Sequence, residues 1–148
     1  MSRSMPATSN ADTWSMRAAI TWGVVVGVIQ VASPLGLWWL EPATVYALGL
    51  ALIAGVYIGF AVADGRVRVI VVESTVAMAF VVIAAVGIIG SGWLLVLGFA
   101  LHGCKDAWQQ RSRFVTGTRW WPPFCAAVDW VVALAIAIEI VTGVNLQA

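Results

Sequence analysis

Charge is what this sequence has least of. Asp, Glu, Lys and Arg make up 10% of its 148 residues, against about a quarter in soluble domains, while 61% are hydrophobic and the mean hydropathy is +0.94. That balance excludes an ordinary water-soluble domain and a disordered chain. A net charge of +1 leaves no basic face for nucleic acid. Cysteine occurs twice, at Cys104 and Cys125, too rarely for a disulfide scaffold and without a CxxC redox pair. Both are expected toward the cytoplasmic side as reduced, inert thiols. Histidine occurs once, at His102, so no HxxH or His-rich metal motif exists.

What the chain has in abundance is apolar runs of membrane-spanning length. A span needs roughly 20 residues, and five candidates occur at residues 18–40, 43–63, 69–89, 92–109 and 124–144. The fourth is the least apolar, because beyond Leu101 it must carry His102, Lys105 and Asp106. The reading is an all-α membrane protein: a single five-span helical bundle over residues 18–144. Residues 1–17 form a cytoplasmic N-terminal tail, 110–123 a cytoplasmic basic and aromatic loop, and 145–148 an outer tail. Short loops rich in Lys and Arg stay in the cytoplasm. With five spans, Arg3, Arg17, Arg66, Arg68, Lys105, Arg111, Arg113 and Arg119 all fall on one side, which places the N-terminus in the cytoplasm and the C-terminus outside. The Ala- and Val-rich composition fits a GC-rich bacterium, hence multi-pass residence in the cytoplasmic (inner) membrane.

Small residues recur every fourth position in the second span, at Ala47, Ala51, Gly55, Gly59 and Ala63, and in the first at Gly23 and Gly27. Such ladders let backbones approach closely, so the two spans are expected to pack on these faces or to form a homodimer seam. Pro34 deprives a carbonyl of its helical donor, which Gln30 or a neighbouring helix is expected to replace.

Ionisable groups inside spans are expensive, about 2.5 to 3.5 kcal/mol each at a helix centre, and therefore informative. At a rise of about 1.5 Å per residue, Glu73 lies roughly 6 Å and Asp129 roughly 8 Å inside the cytoplasmic ends of their spans. His102 lies about 15 Å and Asp106 about 21 Å down from the outer end of theirs. His102 and Asp106, four apart, share a helix face that Gln109 and Gln110 continue. Glu73, His102, Asp106 and Asp129 are thus the candidate acid–base or proton-relay residues, and the ligand set for any metal. Glu139 stands apart near the outer end and is expected to snorkel or to pair locally. Arg119, Trp120 and Trp121 are the candidate lipid-interface residues, with Arg for headgroups and Trp for the interface.

From His102-Gly103-Cys104-Lys105-Asp106 through Trp121-Pro122-Pro123-Phe124-Cys125 to Asp129, the chain resembles small uncharacterised bacterial multi-span integral membrane proteins. The resemblance covers the C-terminal third and implies no activity or cofactor. Three functions are compatible with this reading. The first is an inner-leaflet acidic and His pocket for a lipid or small apolar molecule. The second is a small proton-coupled transporter or proton pathway, and the third an accessory subunit of a membrane complex. The expected partners are membrane lipids, with a homo-oligomer or a membrane partner subunit as the protein alternatives.

Overall fold

The computed structural model describes the backbone of residues 10–147 and the side chains of residues 15–147. The first nine residues of the tail, Arg3 among them, and Ala148 lie outside the described residues. The described chain is all-helical: α1 (Asn10–Gly36), α2 (Pro42–Asp64), α3 (Val67–Ile89), α4 (Gly92–Ser112) and α5 (Trp121–Val141). Four stretches, Ser15–Gly36 within α1 and the whole of α2, α3 and α5, are long and apolar enough to cross a membrane. The fourth helix has 21 residues, as many as α5, but its polar side chains dilute its hydropathy.

The helix ends follow local chemistry. Pro42 opens α2 and Pro122-Pro123 opens α5, positions where a missing N–H costs nothing. Gly65 closes α2 with φ of 79°, a left-handed conformation that a residue without Cβ adopts freely. Ser91 caps α4 by accepting from the Trp93 amide. Because α4 runs on to Ser112 and α5 begins at Trp121, only residues 113–120 between them are non-helical. Pro34 lies inside α1 and cannot donate to the Gln30 carbonyl. The hydroxyl of Ser33 donates to that carbonyl at 2.6 Å, so the replacement comes from within α1 and not from the Gln30 side chain.

The packing order around the bundle is α1, α5, α4, α3, α2, with only slight contact closing the ring between α1 and α2. This corrects the expected pairing of α1 and α2 along their small residues. A Cβ on Gly23 would strike the Phe124 carbonyl, and one on Gly27 would lie 2.9 Å from the Val131 Cβ, so this face of α1 is fitted to α5. On α2, Gly55 and Gly59 have nothing within 4 Å and face outward.

Both ends of the bundle are tied. At one, the Ala43 amide donates to the Leu146 carbonyl, and the Gln147 amide nitrogen donates to the carbonyls of Ile88 and Gly90. At the other, Asp64 accepts from the amide and hydroxyl of Thr116, while Arg66 bridges Asp64 and the Phe114 carbonyl. The core packs Tyr46, Leu50, Leu95, Phe99, Val132 and Ile136. Outside, Leu52, Met78 and Leu134 are each more than 60% exposed, an arrangement that water disfavours and hydrocarbon accepts. Glu139 of α5 is paired across the bundle and not locally: the Tyr46 hydroxyl of α2 lies 3.0 Å from its Oε1 and 3.2 Å from the Val31 carbonyl.

Candidate functional site

The polar centre is built on one face of α4. His102, Lys105, Asp106 and Gln109 follow the i, i+3, i+4, i+7 spacing that aligns side chains on a helix. All four turn into the bundle. The opposite face presents Leu97, Leu101, Cys104 and Trp108 to the outside, so the surface of α4 is apolar although its composition is not.

Gly103 brings α5 close. A Cβ there would lie 2.5 Å from the indole nitrogen of Trp130, so the absent side chain is what lets Trp130 pack against α4. The neighbouring residues on each helix, His102 and Asp129, consequently meet: His102 Nδ1 lies 2.8 Å from Asp129 Oδ2 and 3.5 Å from Asp106 Oδ2. All three are at most 1% exposed. Phe80 of α3 packs edge-on to the imidazole with centroids 4.8 Å apart, and Tyr57 of α2 does so at 6.0 Å. Four helices therefore enclose one histidine.

Glu73 belongs to a second, adjoining group. Its Oε2 lies 2.7 Å from the Lys105 ammonium and its Oε1 accepts from Gln109 at 2.9 Å. The Lys105 ammonium also lies 3.3 Å from the centre of the Tyr57 ring, a cation–π arrangement. Gln109 in turn accepts from the Val115 amide and so links the centre to the loop after α4. With the Glu73 charge matched by Lys105, His102, Asp106 and Asp129 are left with two carboxylates and one imidazole. Two of their atoms have no hydrogen-bond partner: Oδ1 of Asp129 and Nε2 of His102. Tyr57's hydroxyl is buried beside Asp106, close enough to interact with its carboxyl. His102, Asp106 and Asp129 each offer one ligand atom, all within 4.8 Å of one another, and are the residues that could hold a metal ion.

Of the four candidate acid–base residues, His102, Asp106 and Asp129 converge and Glu73 stands with Lys105 and Gln109. Sequence reasoning missed Lys105, which was assigned to the basic residues of the cytoplasmic side, and Tyr57. The signal for Lys105 was its place on the His102–Asp106 face. Nothing in the sequence marked Tyr57.

The three lipid-interface candidates separate. Trp121 packs between Phe60 of α2 and Phe124. Trp120, 48% exposed, and Arg119 line a cavity of about 420 Å³ beneath the loop, together with Ser15, Gln109, Arg113 and Thr118. Ser15 and Trp120 also border an apolar groove of about 480 Å³ between α1 and α5, walled by Ala18, Trp22, Val26 and Phe124.

No protein-family model matches the chain, and neither does any curated protein or solved structure.

Proposed function

We propose that this chain is a five-span protein of the bacterial cytoplasmic membrane, N-terminus inside and C-terminus outside, that binds an anionic phospholipid in the cytoplasmic leaflet. The observation that carries the lipid reading is the meeting of a polar cavity bearing Arg113 and Arg119 with an apolar groove that shares Ser15 and Trp120. A phosphate headgroup matches the first by charge and by the bidentate donors of arginine. An acyl chain matches the second. Anionic lipids are also the lipids that basic juxtamembrane segments attract.

Two features support the fifth span. At about 1.5 Å per residue, the 21 residues of α4 reach about 31 Å, close to a hydrocarbon thickness of about 30 Å. Its polar side chains face the bundle and its outward face is apolar, which is how polar residues are tolerated at that depth. The orientation rests on Arg17, Arg66, Arg68, Arg111, Arg113 and Arg119, all at one end of the bundle.

Native mass spectrometry of the detergent-purified protein, mixed with equal amounts of phosphatidylglycerol and phosphatidylcholine, tests the lipid reading. The expected result is at least tenfold preferential retention of phosphatidylglycerol, lost in the double variant Arg113→Gln, Arg119→Gln. Equal retention of the two lipids, or a preference unchanged in the double variant, would contradict it.

A further inference from the structure

We propose that His102, Asp106 and Asp129 form a buried binding site for one divalent transition-metal ion of the Mn2+, Fe2+ or Zn2+ class. This inference does not rest on the lipid site, which uses other residues.

The first argument is charge. Lys105 is ion-paired with Glu73, so among the described residues two buried carboxyls and one imidazole are left with no cation in direct contact. Buried charge must be paired or must coordinate a metal. One divalent ion neutralises both carboxylates.

The second argument is the unpartnered atoms. Asp129 is fully buried, yet its Oδ1 has no hydrogen-bond partner, and Nε2 of the buried His102 has none. Buried polar groups in folded proteins are nearly always satisfied, so the unpartnered atoms call for something that fills their lone pairs.

Geometry is the third. Donors around a metal with bonds of about 2.0–2.2 Å stand about 2.8–3.1 Å apart in octahedral and about 3.3–3.6 Å apart in tetrahedral arrangements. His102 Nδ1 lies 2.8 Å from Asp129 Oδ2 and 3.5 Å from Asp106 Oδ2, within those spacings. An imidazole nitrogen with carboxylate oxygens selects this metal class over Ca2+ and Mg2+, which take oxygen ligands, and over the thiolate-seeking Cu+. Gln109, one turn from Asp106 on the same face, lines the cavity of about 420 Å³ and is the group that separates the centre from it.

The test uses the full chain carrying a purification tag without histidines. Elemental analysis of the detergent-purified protein is expected to find about one Mn, Fe or Zn per chain. Asp106→Asn and Asp129→Asn should each lower that content at least tenfold. Cys104→Ala, at an exposed thiol outside the site, should leave it unchanged. Should either Asn variant fail to fold, titration of chelator-treated wild-type protein with Co2+ decides alone. Saturation near one equivalent, with visible d–d absorption and no thiolate-to-metal band, supports the site. Protein that is metal-free as purified and takes up none of Mn2+, Zn2+ or Co2+ overturns it, and leaves the three groups holding a shared proton. Metal content indifferent to both Asn variants overturns it as well, by locating the ion elsewhere.

Discussion

Lys105→Met is expected to destabilise the protein by about 3–5 kcal/mol, the cost of leaving one partner of a buried ion pair uncompensated. Glu73 is 1% exposed and its Oε2 has the Lys105 ammonium at 2.7 Å, so removal of the ammonium strands a carboxylate among apolar helices. Only the Gln109 amide would remain to it. The cation–π contact with Tyr57 goes too, adding to the loss. The double variant Glu73→Gln, Lys105→Met removes both charges, keeps an acceptor for Gln109, and should recover most of the stability. This pattern, a severe single variant and a mild double one, separates charge pairing from lost packing of the lysine stem. Unfolding in mixed micelles titrated with a denaturing detergent gives the three values. A Lys105→Met protein within about 1 kcal/mol of wild type would show that Glu73 is neutral or reached by water.

The second large effect is expected at Gly103. A Cβ there falls 2.5 Å from the Trp130 indole nitrogen, and Gly103→Val adds two further carbons against the same ring. Overpacking of a tight interior costs about 1–3 kcal/mol and occasionally more. A value within that range is expected here, because α5 is also held by α1 and the half-exposed Trp130 ring must move outward to make room. Separation of the helices would also break the 2.8 Å contact between His102 and Asp129. Trp130→Ala in the same chain should restore part of the stability by vacating the space that valine needs. Thermal unfolding of the two variants checks this. No recovery in the double variant would mean that the valine acts on the backbone of α4 and not on the ring.

The sequence carries depth and not direction around the helix axis. A rise of about 1.5 Å per residue was enough to bring Asp106, Asp129 and Glu73 to one level. Which of them would face His102 depends on how α3 and α5 are rotated. Asp129 is turned toward the imidazole because Gly103 and Trp130 set the rotation of α5 against α4, a fit between two particular side chains that periodicity does not encode. Glu73 stands on the same level but faces Lys105, whose charge had been assigned to the cytoplasmic side. The order of helices around the bundle was hidden for a similar reason. Gly23 and Gly27 mark a close approach, but a small-residue ladder does not name its partner, and that partner is α5 and not the adjacent α2. Local chemistry was legible: Pro42 and Pro122-Pro123 start helices as their missing amides dictate. The reduced hydropathy of α4 was legible too, as the mark of the helix that carries the polar centre.

Everything proposed for the polar centre requires that α4 cross the membrane and hold its polar face in the protein interior. Single cysteines at Ser91 and Arg111, which flank and end this helix, introduced one at a time into a Cys104→Ala, Cys125→Ala chain in intact cells, test that most directly. With a membrane-impermeant maleimide, the cysteine at position 91 should label from outside, and the one at position 111 only after the membrane is opened. Equal labelling of both positions from one side would mean that α4 does not cross, and the membrane-enclosed centre would fall with it.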